Sequence, residues 1–392
     1  MSDNEIKLVK ISIYEVNLPF VFSFGHNLAS RKSTNNIIVK LDFQVGDRIV
    51  SGFGEAVPRD YVTNETTTSC MEDLKNIYIP NLINFRSKNV ASAKDGFANI
   101  LDNISILGNT ARCALELAFL DGLAKINNTN IINLMSNIDS YNINSVNYGA
   151  VIPYLSINKF KALFKIYAWL GFKTIKIKLG RDFDYNINLL KLANSCNNSS
   201  LTIRADANQA WSVNDSVKHI NDLVKFNLAS IEEPCKANFS DLKSIQDNIP
   251  IPLIVDESLV SYSDAQNLLT VCKGFNIRIS KNGGLSNAIK IANLASQNNL
   301  ECHLGAQVGE TRILSRANQS LAFILANEYK IKIANVEGAG NDLLLMNNLS
   351  KFSFVTLLPS KFGLDFEPGF GVNVNLAGIV KFSVNQFCQD LI

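Results

Sequence analysis

Two hydrophobic rhythms divide the chain. From Val9 to Val16 and again from Asn36 to Phe43, apolar and polar residues alternate with a period of two. That pattern predicts strands with one buried face. Gly52-Phe53-Gly54-Glu55 then turns the chain, and helical periodicity runs from about Ser69 to Lys125, clearest over Ala111–Asp121. Strands followed by helices describe an α+β domain, expected over residues 1–135. After Tyr148 the rhythm changes. Short apolar strands are predicted at Tyr148–Tyr154, Thr174–Leu179, Leu201–Ala205, Ser230–Glu232, Pro252–Val255, Phe275–Ser280, Cys302–Gly305 and Ile333–Val336, with helical stretches between them. This repeat predicts an α/β fold built on a parallel TIM-type barrel over residues 136–350. A doubly wound open sheet would want a Gly-rich phosphate turn after its first strand, and none is present. From Phe352 strand and turn signals return, notably over Asp365–Val374, and residues 351–392 are expected to pack back on the first domain.

Composition narrows the function. The chain has 392 residues, 47% hydrophobic and 18% charged, with a net charge of +2. That near balance argues against nucleic acid or an acidic membrane surface as partner. The polar, acidic start is no signal peptide, and no apolar run is long enough to span a membrane. Seven scattered cysteines without a C-x-x-C pair suit reduced thiols in a cytoplasmic protein.

The chemistry sits at the strand ends, because barrel active sites lie at the C-terminal face. The second strand ends in Lys176-Ile177-Lys178, and residues i and i+2 share one face of a strand. The third ends at Asp206, the fourth at Glu232 and the fifth at Asp256, spaced by 26 and 24 residues. One carboxylate per consecutive βα unit places three on adjacent strands at one height. Taken singly, a K-x-K is most often a solvated edge and a strand-closing acid most often a cap or turn residue. Their conjunction in order is what points to a site. Three anions repel unless a cation offsets them, and a hard, oxygen-seeking ion such as Mg²⁺ suits carboxylates. Such an ion stabilises charge developing on a substrate carboxylate, and a nearby amine takes the α-proton. Free lysine, with a pKa of roughly 10.4, is a poor base at neutral pH. A second cation two residues away favours the neutral amine, which gives the Lys176/Lys178 pair a physical rationale.

With Gly52-Phe53-Gly54-Glu55-Ala56, Lys176-Ile177-Lys178, Asp206-Ala207-Asn208, Glu232-Glu233-Pro234, Asp256-Glu257-Ser258 and Ser280-Lys281-Asn282-Gly283-Gly284, the chain resembles the enolase superfamily. Within it, the muconate lactonizing enzyme subgroup is the nearest likeness. The resemblance implies a capping α+β domain over a modified (β/α)₇β barrel. It implies Lys178 as catalytic lysine with Lys176 as its neighbour, and Asp206, Glu232 and Asp256 as Mg²⁺ ligands. It further implies a small carboxylate substrate and a homo-oligomer, dimer or octamer. Members usually carry a second catalytic lysine three residues before the lysine that opens the K-x-G-G turn. Here Lys281 opens that turn and Arg278 stands three earlier. Arginine stays protonated, so a two-base racemisation loses its second partner and one-base chemistry gains. Arg278 is expected to hold a carboxylate or stabilise the enediolate. Dipeptide epimerases of the subgroup carry Asp-x-Asp at the eighth strand, where this chain has Asn335-Val336-Glu337. Glu337, Glu310 and Lys281 are further substrate-binding candidates. His26, Arg59 and Tyr61 fall where the family places its specificity loops. His303 reads as a core histidine. The expected activity is that of an isomerase, a cycloisomerase or racemase. A hydroxy-acid dehydratase is the alternative, and a non-catalytic binding protein is the outsider.

Overall fold

A computed structural model describes the backbone except residues 1–4, 27–28, 105–107, 137–140, 198–200, 340, 348, 351–359 and 364–366. Side chains at 22–26, 29–30 and 342–343 are also outside the description. The alternating segments near the start form long antiparallel strands, Ile6–His26, Ala29–Val45 and Arg48–Ala56. The last strand, Ser383–Asp390, pairs antiparallel with the first, Lys10 opposite Asp390. By contrast, the stretch from Glu367 to Val374 is turns and isolated bridges, Asn130 to Gly369 and Ser350 to Val374. Its Pro and Gly residues break a ladder rather than extend one.

Helix Asn109–Ile126 is buried from Thr110 to Ala124. The reason is that it lies between two cores. Cys113, Leu117, Leu120 and Ala124 join the barrel core, whereas Ala111, Ala114, Leu115, Ala118, Phe119 and Leu123 join the capping core. Both sets follow helical spacing, so the helix is buried all round, with Arg112, Glu116 and Asp121 as its buried charged residues. Its backbone also touches the third capping strand. A Cβ at Gly54 would lie 2.0 Å from the Ala114 carbonyl oxygen, and one at Gly52 would lie 2.0 Å from that of Ala118.

Eight parallel strands form the second unit: Ala150–Ile152, Thr174–Lys178, Thr202–Asp206, Leu228–Glu232, Leu253–Val255, Gly274–Ile277, Glu301–Leu304 and Ile333–Val336. They are ordered sequentially in one sheet. A hydrogen bond from Gly149 N to Val336 O, 2.8 Å, joins the two ends and curls the sheet into a barrel. Crossover helices begin at side-chain caps, as at Asp182, Ser212, Asn238 and Ser261, each accepting from an amide three residues on. Such caps satisfy amides that the helix leaves open. No helix among the described residues is long and apolar enough to cross a membrane. All seven cysteines are unpaired.

Because the backbones meet at Gly54, Gly54→Ala is expected to cost at least about 1–3 kcal/mol of unfolding free energy. Urea denaturation checks this, and an unchanged midpoint would contradict the packing.

Candidate active site

The ladder sets the height of each side chain. Lys178 is registered with Asp206, and Asp206 with Glu232, so their side chains meet at the C-terminal rim. Asp256 follows directly on the fifth strand. Asp206, Glu232 and Asp256 are all fully buried. Lys178 Nζ donates to Asp206 Oδ2 at 2.5 Å and to Asn208 Oδ1 at 2.7 Å. Asn208 and Gln209 have positive φ, 43° and 59°. This turn brings the Asn208 amide onto Asp206 Oδ1, 2.9 Å, and its side-chain nitrogen onto Glu257 Oε1, 3.0 Å.

One layer below, Lys176 is enclosed by acids. Its Nζ lies 2.8 Å from Glu232 Oε1, 2.7 Å from Glu337 Oε1 and 3.4 Å from Asp206 Oδ2. Burial opposes its charge, but the carboxylates of Glu232, Glu337 and Asp206 outweigh burial and hold its pKa above the ordinary lysine value. Arg204 Nη2 meets Glu232 Oε2 at 2.9 Å, and Asn276 Nδ2 meets Glu232 Oε1 at 2.8 Å. Burial works against the Glu232 charge, yet Lys176 and Arg204 pull its pKa well below the carboxylate range. Across the barrel, Arg278 Nη2 pairs with Asp256 Oδ2, while Arg278 Nε is buried with no hydrogen-bond partner. Lys281 is fully buried, with Nζ on Asp256 O, Asp256 Oδ1 at 2.8 Å and Asn276 O at 3.1 Å. Burial and the Arg278 charge push its pKa down, while three acceptors suit an ammonium.

The chain thus supplies its own counter-cations: Lys176, Lys178, Arg204, Arg278 and Lys281 surround the three carboxylates. Repulsion among the acids therefore does not by itself call for a metal. As the side chains stand, no group of three or more His, Cys, Asp or Glu among the described residues is arranged to hold an ion. The donor chemistry nevertheless fits a hard divalent cation, with oxygen ligands only. Beside them, Glu257 Oε2 is buried without a partner, and burial and the neighbouring acids Glu233 and Asp206 push that carboxyl's pKa up. An added cation would relieve this excess of buried acid.

Other expected residues sit elsewhere. The reading of Arg59 as substrate-facing gives way to a structural role. Its guanidinium donates to Asn35 O, Pro58 O, Thr34 Oγ1 and Val308 O, buried between the two domains. Burial and the Arg31 charge lower its pKa to about 10. Glu337 is engaged with Lys176 and Arg204 inside the barrel rather than held open for a ligand. Tyr61 lies under Arg31, 5.4 Å from its ring centroid. The His26 side chain lies outside the described residues. His303 pairs with Glu301 at 2.9 Å, and burial lowers its pKa to about 4. Glu310 accepts from the Gln307 amide at 2.6 Å and from Asn341 Nδ2 at 3.4 Å. Arg204 and Asn276 were not singled out by sequence. Each lies two residues before a rim residue, Asp206 and Arg278, as Lys176 lies before Lys178, and that spacing is their signal.

Burial, reinforced by Glu55, raises the Glu310 pKa from 4.5 to about 8. Between those values the folded chain keeps a proton that the unfolded chain releases, so stability falls as pH rises through that window. Glu310→Gln is expected to remove this part of the decline in chemical denaturation run from pH 4.5 to 8. A profile unchanged by the substitution would contradict the assignment.

Residues 160–376 match the family described as enolase C-terminal domain-like. The N-succinyl-L-Arg/Lys racemase of Bacillus cereus is 26% identical over 97% of this chain and 99% of its own. Its crystal structure superposes with a TM-score of 0.85, at 24% identity over 98% of this chain and 100% of the other. The hydrophobic dipeptide epimerase of Enterococcus faecalis is 27% identical over 81% of this chain and 87% of its own. A dipeptide epimerase from Enterococcus faecalis V583, crystallised with Mg and the dipeptide L-Leu-L-Tyr, gives a TM-score of 0.81 at 23% identity, over 94% and 99% of the two chains. The muconate lactonizing enzyme of Pseudomonas fluorescens gives 0.83 at 20% identity, over 97% and 100%. With this family match, these relatives and the barrel beneath its capping domain, the chain belongs to the enolase superfamily, in its muconate lactonizing enzyme subgroup.

Proposed function

We propose that Lys178 alone handles the α-proton of a small carboxylate substrate in a one-base cycloisomerisation or its reverse: in ring opening it takes the α-proton as the β C–O bond breaks and frees a carboxylate, and in ring closure that carboxylate adds to the double bond and Lys178 delivers the proton to the α-carbon on the same face. The observation that carries this reading is Arg278. In a ring of eight strands the sixth stands opposite the second, so a second base would have to come from that side. Arg278 fills the position with a guanidinium that stays protonated at working pH. A racemase needs a proton donor and acceptor exchanging roles on opposite faces. A fixed cation does not exchange roles, but it stabilises negative charge developing on the substrate.

Lys178 suits the base because its amine lies at the rim, oriented by Asp206 and Asn208. Lys176 is held charged among Glu232, Glu337 and Asp206 and supplies a fixed positive potential beneath it. Asp206, Glu232 and Asp256 would hold Mg²⁺, the ion present in the Enterococcus faecalis epimerase complex. When bound there, the ion supplies Lewis-acid stabilisation of charge on a carboxylate.

The test is incubation with Mg²⁺ in D₂O with pooled amino-acid derivatives, dipeptides, muconates and sugar acids, read by mass spectrometry. Wild type is expected to place deuterium at the α-carbon, and Lys178→Ala to slow this by at least about 100-fold. Arg278→Lys, which restores a titrating group, is expected to add exchange at the opposite configuration. Exchange unaffected by Lys178→Ala, or none in wild type across the pool, would overturn the reading. A product lighter by one water would assign elimination in place of isomerisation.

A further inference from the structure

The two edges of the capping sheet are unlike. Its strands run in the order Ser383–Asp390, Ile6–His26, Ala29–Val45, Arg48–Ala56. Helix Asn109–Ile126 closes the edge at Arg48–Ala56 with side chains: Asp121 Oδ2 accepts from Phe53 N at 2.9 Å, Lys125 Nζ donates to Ser51 O at 3.3 Å and Cys113 Sγ to Glu55 O at 3.6 Å. Strand Ser383–Asp390 has no such cover. Leu391 N donates to Val9 O at 2.9 Å, so the odd-numbered residues here turn their backbone groups toward the first strand and the even-numbered ones turn theirs outward. The ladder is regular from Asn385 to Asp390, and a bulge interrupts it between Asn385 and Ser383. Gln386, Cys388 and Asp390 therefore present outward N–H and C=O groups. All three residues are exposed, and among the described residues none of these groups has a partner. Such an open row is a template for another strand, against which lysine and proline are the usual guards. The eight residues of this strand contain neither.

We propose that two copies of the chain join at this edge, strand against identical strand, antiparallel about a two-fold axis at Cys388. Such a contact is isologous and closes at two, and the covered far edge stops the sheet from growing head to tail. With the axis at Cys388, Gln386 of each copy stands opposite Asp390 of the other and Cys388 opposite Cys388, so all the outward residues pair. The side chains suit this register. The Gln386 carboxamide donates and the Asp390 carboxylate accepts. Carried on at the same spacing, Ile392 of one copy comes beside Val384 of the other, and these apolar side chains are 66% and 63% exposed in the single chain. The neighbouring registers fit less well. An axis at Asp390 sets Asp390 against Asp390, and like charges directly opposite are destabilising. An axis at Gln386 runs the new ladder into the bulge. A second copy thus supplies the donor, the acceptor and the apolar ends by symmetry alone.

An edge-to-edge contact is small, so the dimer is expected to dissociate in the micromolar range, and sedimentation velocity is run from about 1 to 100 µM protein. Wild type is expected to dimerise. Diamide, which takes up two hydrogens as two thiols become one disulfide, is expected to link Cys388 to Cys388. Directly opposed, hydrogen-bonded strand residues lie about 5.5 Å apart at Cα, within disulfide reach. Cys388→Ser should abolish the linked band on a non-reducing gel and keep the sedimenting dimer. Gln386→Pro deletes an outward N–H and spares the ladder to the first strand. Cys388→Lys sets two like charges against each other on the axis. Each of these two substitutions should raise the dimer Kd at least about tenfold. Thermal unfolding of each variant verifies that it is folded. A monomer at every concentration, an assembly that neither Gln386→Pro nor Cys388→Lys weakens, or a dimer in which diamide forms no Cys388-dependent link would overturn the proposal.

Discussion

A three-dimensional alternation of buried charges inside the barrel is the constraint on which the rest depends. Lys176, Arg204 and Arg278 on one side, and Asp206, Glu232, Asp256 and Glu337 on the other, are each at most 8% exposed. Burying one of these ions alone would be prohibitive, and removing one partner of a buried pair costs about 3–5 kcal/mol. The set therefore stands as a unit. It also explains why the barrel interior departs from the usual apolar layers: Glu232 alone joins the second, third and sixth strands through Lys176, Arg204 and Asn276. Charges held this way need little reorganisation when a substrate anion forms, which is the condition for electrostatic catalysis.

The capping domain contributes by fixing the roof over this lattice. Glu55, at the end of the third capping strand, accepts from Asn36 Nδ2 at 2.7 Å and from Thr311 N at 2.9 Å, Thr311 Oγ1 at 2.6 Å and Leu314 N at 3.1 Å. It therefore meets open amides at the start of helix Arg312–Asn327 from another domain, where a negative side chain is favoured. Asn36 binds Gly309 O at 2.8 Å, and Arg59 binds Val308 O. The loop that carries Gln307 and Glu310 is thus tied down from above as well as from its own strand. Val57 N to Ser280 Oγ, 3.0 Å, makes a similar tie to the sixth-strand turn.

Much of this was legible in the residue order, and the boundary of legibility has a physical reason. Strand positions follow from short apolar runs at a regular interval, and all eight appear within a few residues of the expected places. Spacing also places Lys178, Asp206 and Glu232 at one rim, because ladder register converts sequence interval into height. What sequence does not reveal is which partner a long side chain selects. Glu337 looks open to a ligand until Lys176 and Arg204 are seen to claim it. Arg59 sits in a loop-like stretch, yet its guanidinium is spent on the backbone carbonyls of Asn35 and Pro58 in its own domain and of Val308 in the barrel. The repulsion argument for a metal also changes once the lattice is seen, since it presumed that no side-chain cation intervened between the acids.

The central claim is that Lys178 is the one group that takes the α-proton in ring opening and delivers it in ring closure, on one face of the substrate. Ring closure run in D₂O tests this most directly, with the label followed in product by mass spectrometry and NMR. One-base chemistry at Lys178 predicts a single deuterium at the α-carbon, on one face, and loss of that same deuterium when the product is reopened in ordinary water. Deuterium delivered on both faces, or on the face opposite the one from which the α-proton is removed, would contradict the account and require a second proton-carrying group that the barrel mouth does not otherwise reveal.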